Sequence, residues 1–257
     1  MHNFDEKKVT KELLEWLKYW FEVNGKNCPA VLGISGGKDS TVTAALCVEA
    51  LGKDRVIGVL MPNGEQKDIS DSHRVCNLLN IPNVTINIKD AVEAEKRVVL
   101  EAAKLLGKNE LTSQTIINLP PRIRMATLYA LSQSMNGRVM NTCNLSEEWV
   151  GYSTRWGDSV GDVAPLADFT VEEVKKIGLE LGLPYDLVYK TPSDGLCGKT
   201  DEDNLGFTYA ALDKYLREGV CDEKVKELID KKHFANEFKL KPIPKFEYGK
   251  VLAKVRK

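Results

Sequence analysis

The residues best suited to chemistry form a short turn near the N-terminus, S-G-G-K-D-S at positions 35–40. An apolar run precedes the turn and an alanine-rich helical segment follows it, so we expect a strand, a tight turn and a helix. Such a turn directs backbone N–H groups and a helix dipole at one point, which favours a bound phosphate. Ser35 and Ser40 can donate hydrogen bonds to phosphate oxygens. Asp39 repels bare phosphate and therefore indicates an intervening divalent cation.

The turn differs from the two most familiar phosphate-binding loops. A Walker A loop requires G-x-x-x-x-G-K-[ST], which is absent here. A dinucleotide fingerprint requires G-x-G-x-x-G, which is absent as well. A plain glycine-rich turn, in which Asp39 only adds charge to the helix N-terminus, accounts for neither the second glycine nor the flanking hydroxyls.

Composition limits the class of protein. The chain has 257 residues, 43% of them hydrophobic and 28% charged, and its net charge is −1. This predicts one substantial core and argues against a nucleic-acid-coating protein. No apolar run reaches the roughly 18 residues that span a bilayer, and no signal peptide is evident, so we expect no membrane partner. The six cysteines include no C-x-x-C pair, which predicts reduced thiols in the cytoplasm rather than disulfides or a zinc cluster.

Apolar runs alternate with helical patterns through the first half of the chain. This alternation predicts an α/β fold, a doubly wound parallel sheet of about five strands with flanking helices. The predicted strands are Ala30–Ile34, Val56–Met61, Val84–Ile88 and Arg138–Asn141. The predicted helices are Ser40–Leu51, Asp71–Leu79, Ala91–Leu106 and Arg122–Met135. Because ligands bind at the carboxyl ends of such strands, we expect the loops 33–40, 61–71 and 141–147 to converge on one site.

The second half of the chain has two long polar loops, at 151–168 and 190–206, which we interpret as lids. Between them, Thr170 and Glu173 form a capping box that begins a helix reaching about Gly182. Two closing helices are expected at 208–218 and 222–232, before a tail rich in proline and lysine. No linker or repeat divides the chain, so a single domain over residues 1–257 is predicted.

The motifs resemble those of the ammonia-dependent NAD synthetases. SGGKDS resembles the pyrophosphate loop of the N-type ATP pyrophosphatase superfamily. MPNGEQKDISD from residue 61 is similar to the family's second-strand loop, and RIRMATLYAL from residue 122 to its Arg-x-Arg-Met helix. NTCNLSEEWVGYSTRWGD from residue 141 resembles the family's Gly-Thr-Asp-x-x-x-Glu segment, and KTPSDGLCGKTDEDNLG from residue 190 its lid. The resemblance covers nearly the whole chain.

This resemblance implies an adenine nucleotide alpha hydrolase-like fold and a ligase that forms a carbon–nitrogen bond. ATP adenylates the nicotinate carboxylate of deamido-NAD, pyrophosphate leaves, and ammonia displaces AMP to give NAD. The resemblance implies Mg²⁺ as cofactor, held by the catalytic residues Asp39 and Glu147. It implies ATP binding by Gly33, Ile34, Ser35, Gly36, Gly37, Lys38, Asp39, Ser40, Thr142 and Ser193. It implies deamido-NAD binding by Arg122, Arg155, Asp162 and Lys239.

The chain departs from the family pattern at several positions. Val171 occupies the place of an ATP-binding lysine, and a valine cannot neutralise phosphate. We expect Lys175, Lys190 or Lys199 to replace it. Ser193 replaces a threonine but keeps the hydroxyl group. The remaining departures are Asn141, Cys143, Pro120, Pro121 and, in place of a tail histidine, Phe238.

The sequence also leaves two different functions open. One is a different adenylating ligase, such as a GMP-synthetase-like or tRNA-modifying pyrophosphatase, although a basic appendage or paired cysteines for tRNA are not evident. Another is a non-catalytic ATP-binding module on the same scaffold. The sequence leaves no room for a glutamine amidase domain, so we expect the nitrogen to come from free ammonia or from ammonia delivered by a separate partner. By resemblance we also expect a homodimer.

Overall fold

A computed structural model describes residues 4–66, 68–190, 201–246 and 248. Its centre is a four-stranded sheet in the order β3-β2-β1-β4, and every neighbouring pair is parallel. The strands are β1 (Ala30–Gly33), β2 (Val56–Leu60), β3 (Asn83–Thr85) and β4 (Arg138–Val139). Because all four run the same way, their carboxyl ends meet at one edge, where the phosphate-type turn begins.

Helices cover both faces of the sheet. The helices are α1 (Glu6–Asn24), α2 (Lys38–Leu51), α3 (Ile69–Leu79), α4 (Lys89–Leu105), α5 (Ser113–Ser134), α6 (Leu145–Trp149), α7 (Val171–Glu180), α8 (Tyr185–Val188), α9 (Asp201–Leu205), α10 (Tyr209–Glu218) and α11 (Glu223–Leu240), with a 3-10 turn at Lys53–Arg55. The sheet and its flanking helices confirm the α/β prediction.

Successive side chains of β1 point to opposite faces of the sheet and enter two separate hydrophobic cores. Leu32 packs with α1, α2, α3 and α7 on one face, whereas Val31 packs with α4 and α5 on the other. Successive side chains of a strand point to opposite faces, so a fully buried strand reads as continuously apolar. A third cluster, built from α6, α10 and α11, lies beside the sheet and includes Val150, Leu212 and Ile229.

The described residues contain four strands, not about five. After β4 the chain returns to the sheet edge, where Val163 forms a single parallel bridge with Met140. Pro165, two residues after Val163, has no N–H to donate to β4, so it cannot continue the ladder of hydrogen bonds. A potential fifth strand is therefore reduced to one bridge.

Two helices extend far beyond their predicted bounds, whereas the others differ from them by one or two residues at an end. Helix α5 begins nine residues before Arg122 and contains Pro120 and Pro121. Proline in a helix interior removes a hydrogen bond, but the apolar face of α5, including Ile123 and Leu128, packs on the sheet and stabilises the helix. Helix α11 extends to Leu240 rather than 232, so the tail residue Lys239 lies on a helix.

Two expectations about the environment of the chain can be compared with the structure. Cys28, Cys47, Cys76, Cys143 and Cys221 are all free thiols, and Cys197 lies outside the described residues. Within the part of the chain that the structure describes, every helix is too short or too polar to cross a membrane. Ser193 and Lys199 also lie outside the described residues.

Candidate active site

The turn between β1 and α2 has the shape of an anion cradle. The Ser35 and Ser40 hydroxyls lie 3.0 Å apart, and the Gly37 N–H donates to Ser35 Oγ at 3.2 Å. Ser40 Oγ in turn donates to the Gly37 carbonyl at 3.1 Å. Gly37 caps α2 without a side-chain hydrogen bond, so no side chain occupies the positive end of the helix dipole. The turn can therefore present N–H groups and two hydroxyls to phosphate oxygens.

Gly36 brings this turn against the N-terminal end of α3. Its φ is +78°, in the left-handed region that favours glycine. A Cβ added at Gly36 would lie 2.9 Å from both Asp71 Cβ and Ser72 N. The second-strand loop thus closes one side of the turn, as the convergence of strand ends predicts.

A group of charged side chains lies at the start of α2. Lys38, only 3% exposed, donates from Nζ to Asp39 Oδ2 at 2.7 Å. Asn144 donates from Nδ2 to the other oxygen, Asp39 Oδ1, at 3.0 Å. Glu147 follows on α6, whose first turn is capped by the Asn144 side chain accepting from Glu147 N at 3.0 Å. One residue, Asn144, therefore ties the helix of Glu147 to Asp39.

The pKa of Glu147 reflects its burial and the charges around it. Burial first, and the Asp39 carboxylate second, raise the pKa of Glu147 from its ordinary value of 4.5 to about 8, against the opposing effect of Lys38. Asp201 on α9 adds to the shift. A carboxylate surrounded by negative charge in a buried place is the environment that a divalent cation relieves.

Buried hydrogen bonds anchor the helix that carries Glu147. Ser146 donates from Oγ to Asp213 Oδ1 at 2.5 Å, and Asp213 Oδ2 accepts from Glu172 N at 2.9 Å. Ser146 Oγ also accepts from Val171 N at 3.1 Å. A single carboxylate on α10 thereby fixes α6 and the first turn of α7 together.

The donor set fits a Mg²⁺ ion bound together with phosphates. Asp39 and Glu147 provide two carboxylates, and Mg²⁺ usually takes one or two protein carboxylates while phosphates and waters complete the octahedron. Within the described residues, no group of three or more His, Cys, Asp or Glu side chains forms a complete metal cage. Two carboxylates beside a phosphate-type turn suit a cation that is bound together with phosphates.

A second, cationic group of side chains, proposed from the sequence to bind the nucleotide, lies where α5 meets the loop after α6. Arg122 donates from Nε to the Arg155 carbonyl at 3.4 Å. The Arg155 guanidinium lies 5.0 Å from the Trp156 ring and 5.3 Å from the Phe238 ring. Trp156 has a φ of +62°, an uncommon conformation for a bulky residue that is found most often at functional sites. The structure therefore brings Arg122, Arg155 and the tail of α11 together.

Lys239 belongs to this group, and its ammonium group is hydrogen-bonded to backbone carbonyls. Its Nζ donates to the carbonyls of Gly151 at 2.8 Å and Ser153 at 3.1 Å. Asp158, the aspartate of the Gly-Asp motif, lies near it and accepts from Thr154 N at 2.8 Å. Burial lowers the pKa of Lys239. Lys239 thus ties the end of α11 to the 151–158 loop.

The structure does not bring Asp162 to the two arginines. Its Oδ2 accepts from Val139 N at 2.7 Å, and its Oδ1 accepts from Tyr129 at 3.3 Å. Tyr129 lies seven residues after Arg122 on α5, about 10 Å along the helix axis. Asp162 secures the edge of β4, and Thr142 is half-buried just beyond that strand.

Lys175 and Lys190, two of the lysines expected to replace the one missing at Val171, lie in different places relative to the turn at 35–40. Val171 is 1% exposed and packs in the cluster beside the sheet. Lys175 pairs with Glu172 at 2.5 Å and lies 5.1 Å from the Tyr189 ring. Lys190 pairs with Asp71 at 2.6 Å and so lies beside the residue that touches Gly36. Of the two described lysines, Lys190 is the one next to the phosphate-type turn.

Sequence reasoning missed several residues of the site. Asn144, Asp201, Tyr209 and Asp213 all contribute to the surroundings of Asp39 and Glu147. Asn144 could have been identified, because an asparagine three residues before a glutamate is an N-cap signature. The others lie in the last quarter of the chain, and no local pattern links them to the turn at 35–40.

Comparisons with known proteins agree with this site. A family model for NAD synthase matches residues 9–245. The chain is 39% identical over 256 residues to the NH(3)-dependent NAD(+) synthetase of Thermococcus sibiricus, and the match covers 99% of this chain and 94% of the relative.

Solved structures show the same fold over almost the whole chain. The NMN synthetase of Francisella tularensis has a TM-score of 0.84 at 31% identity, and the match covers 96% of this chain and all of that one. The NH3-dependent NAD synthetase of Campylobacter jejuni has a TM-score of 0.75 at 26% identity, covering 95% of this chain and all of that one. With the phosphate-type turn, the two carboxylates linked through Asn144 and the adenine nucleotide alpha hydrolase-like fold, these matches place the chain in the NAD synthase family.

Proposed function

We propose that this protein is a ligase that amidates the nicotinate carboxylate of deamido-NAD with ammonia, using ATP and releasing AMP and pyrophosphate. The observation that carries the proposal is that Asn144 links Asp39 to the helix of Glu147 beside the turn at 35–40. A non-catalytic ATP-binding module has no need for a second carboxylate held at such electrostatic cost. A GMP-synthetase-like ligase is less consistent with relatives that bear the NH(3)-dependent NAD(+) synthetase name at 39% identity.

The phosphate end of the site would bind and orient the leaving pyrophosphate. A carboxylate is a poor electrophile, so its adenylation depends on stabilising the charge that develops on pyrophosphate. The hydroxyls of Ser35 and Ser40 and the N–H groups of the turn would donate to phosphate oxygens. Asp39 and Glu147 would hold Mg²⁺, whose chemistry is to neutralise charge on the triphosphate. Asn144 and Asp213 keep the two carboxylates in register.

The cationic end of the site would hold the nucleotide that is amidated. Arginine binds phosphate and carboxylate groups through two parallel hydrogen bonds, so Arg122 and Arg155 suit a substrate with both groups. The Trp156 and Phe238 rings flank Arg155 and leave its guanidinium with little freedom. A fixed guanidinium loses less entropy when it binds an anion.

A mononucleotide is a second candidate substrate. The Francisella tularensis structure with the TM-score of 0.84 is an NMN synthetase, and the same amidation would then act on nicotinate mononucleotide. The departure of this chain from the family's tail motif, Phe238 before Lys239, also lies at the cationic end rather than at the phosphate end. Both candidates share the adenylation and amidation steps and differ in whether an AMP half is bound.

Location, assembly and domain content complete the proposal. The free thiols of the described cysteines support a cytoplasmic enzyme, because thiols stay reduced in that compartment. Exposed apolar residues on α4 and α5, among them Val98, Ile116 and Ile117, suit the interface of a homodimer. We propose that residues 1–257 act as a single synthetase domain.

The first prediction concerns substrate and nitrogen source. With Mg²⁺, ATP and ammonium, deamido-NAD should be converted to NAD with equal amounts of AMP and pyrophosphate. The rate should rise with pH as more NH₃ is present, because the free amine is the nucleophile. Product should be quantified by chromatography in parallel reactions with nicotinate mononucleotide.

The ratio of kcat/KM for the two nucleotides decides between the candidates. A clear preference for the mononucleotide would replace deamido-NAD as the substrate. Equal rates with glutamine in ammonia-free preparations would contradict ammonia as the nitrogen source. Failure to amidate either nucleotide would reject the proposed function.

The second prediction concerns the cation ligands. Asp39→Asn and Glu147→Gln each replace a carboxylate ligand of the cation by an amide of almost the same shape, so the fold should persist and kcat should fall about 100-fold or more. Circular dichroism checks the fold, and pyrophosphate release measures turnover. Glu148→Gln, one residue away on α6, is the matched control and should retain activity. Near-normal turnover of either variant would remove that residue from the cation site.

The third prediction concerns stability and pH without cation. The folded pKa of Glu147, about 8, is above its ordinary 4.5, so the folded state holds a proton that the unfolded state releases. The contribution of this group to stability is complete below pH 4.5 and is lost as pH rises towards 8. Glu147→Gln removes that loss. In EDTA, the variant should therefore gain stability relative to the parent between about pH 5 and about pH 8.5.

Urea denaturation at both pH values measures this effect. The difference in the free energy of unfolding between variant and parent should grow with pH. A constant difference would show that Glu147 is already ionised in the folded protein, and the repulsion argument would fail.

The fourth prediction concerns Lys190, the side chain proposed to supply the positive charge that the family's lysine supplies at the position of Val171. Lys190→Gln should raise the KM for ATP about fivefold, since a charge at about 4 Å in water contributes about 1 kcal/mol. Lys190→Arg should restore most of the affinity. Lys175→Gln is the matched control, because Lys175 pairs with Glu172 away from the turn. A larger effect at Lys175 than at Lys190 would reverse the assignment.

A further inference from the structure

Tyr209, the first residue of α10, carries a buried hydroxyl without a hydrogen-bond partner. The residue is 3% exposed, and its Oη has no partner among the described residues. The ring packs with Val150 and Leu212 in the cluster beside the sheet. Its backbone is fixed, because Tyr209 N donates to Glu202 Oε1 at 2.8 Å. Packing explains the ring, but it does not explain the hydroxyl, which phenylalanine would lack.

Tyr209 contacts the elements that carry the acids of the candidate active site, because its backbone N–H donates to Glu202, the neighbour of Asp201 on α9. Helix α10 packs against α6, which carries Glu147. Burial raises the pKa of the Tyr209 phenol, and the negative charges of Glu147, Asp201 and Asp39 raise it further, so the phenol stays protonated and can donate its proton in a hydrogen bond. Tyr152, the neighbouring tyrosine, donates to Asp201 Oδ1 at 3.3 Å, whereas Tyr209 has no comparable acceptor among the described residues.

An unpaired buried donor needs an explanation. Leaving a buried polar group unpaired destabilises a fold, and native exceptions usually indicate a missing water or ion or a functional role. Three carboxylates lie within electrostatic range of this donor. The oxygen that completes its hydrogen bond is therefore expected to arrive with the ligand that these carboxylates attract.

We propose that Tyr209 is a positioning residue for the divalent cation, donating a hydrogen bond to an oxygen in the coordination shell of the ion held by Asp39 and Glu147. This inference rests on the proposed function for the presence of the cation, but it adds a residue from the last quarter of the chain to the cation's surroundings. Outer partners of this kind orient the ligands of a metal, and their loss typically weakens metal binding about 10–100-fold.

The test compares Tyr209→Phe with the parent, using calorimetry with α,β-methylene-ATP, an analogue that resists cleavage between its α and β phosphates. With Mg²⁺ present, the Kd of the analogue should rise about tenfold in the variant. In EDTA, the Kd should be the same for both proteins. Ligand-free thermal unfolding of the variant should occur at the same or a higher temperature, since the variant loses only an unpaired hydroxyl.

Tyr215→Phe is the matched control. It removes a hydroxyl from the same helix and the same apolar cluster, but that hydroxyl donates to Asp230 on α11. Its Mg²⁺-dependent Kd should match that of the parent. An unchanged Kd for Tyr209→Phe with Mg²⁺ would overturn the proposal. So would an equal weakening with and without Mg²⁺, because that result would place the hydroxyl on the nucleotide itself.

These outcomes are separable from a failure of the proposed function. Mg²⁺-dependent binding of the analogue does not require that deamido-NAD be the substrate. If neither nucleotide is amidated, the assignment of Tyr209 to the cation still stands or falls on the calorimetry alone.

Discussion

The structure depends on holding two carboxylates together that repel each other. Asp39 and Glu147 reach the same place because β1 and β4 are adjacent and parallel, and each strand is followed by the helix that carries one of them. The repulsion is large enough to contribute to raising the pKa of Glu147 to about 8. Lys38 offsets part of it through its 2.7 Å contact with Asp39, and it does so from a buried position where its charge is only weakly screened. A site with this balance favours the binding of additional positive charge, which is the property that an ATP-dependent ligase needs.

Such a site requires a rigid frame, and the last third of the chain supplies it. Asp213 is buried, and its two oxygens accept from Ser146 on α6 and from the backbone of Glu172 on α7. Burying a carboxylate is unfavourable unless its hydrogen bonds are satisfied, and here they are. The small apolar cluster of α6, α10 and α11 then packs around these bonds. Helix α6 has only five residues and could not hold Glu147 in place by its own hydrogen bonds.

The parts of this arrangement that sequence reasoning could predict are those written in local patterns. The strand, the glycine turn and α2 follow from residues 29–51, and the capping box at Thr170 and Glu173 is present as expected. Contacts between distant residues could not be predicted: Asn144 and Asp39 are 105 positions apart, and Ser146 and Asp213 are 67 apart. Because of the two prolines in α5, the first nine residues of this helix were not predicted. Proline has a low helix propensity, and here the packing of α5 on the sheet outweighs that propensity. Asp162 shows the opposite difficulty, because a family motif identifies the residue but not its hydrogen bonds to Val139 and Tyr129.

The two ends of the site follow different constraints, and this difference bears on substrate choice. At the phosphate end, the positions of the hydroxyls and carboxylates are fixed by the sheet, because the turn at 35–40 and the first turn of α6 follow two of its adjacent strands. At the cationic end, Arg155 lies in a loop, and its position depends on Trp156, on Phe238 and on the Lys239 clamp to Gly151 and Ser153. Loops tolerate substitution more readily than the elements they connect. Under the proposed function, adenylation and amidation depend on the end that the sheet fixes, and a shorter or longer nucleotide is accommodated at the cationic end. The chain is similar both to an NAD synthetase and to an NMN synthetase, and this division accounts for that similarity.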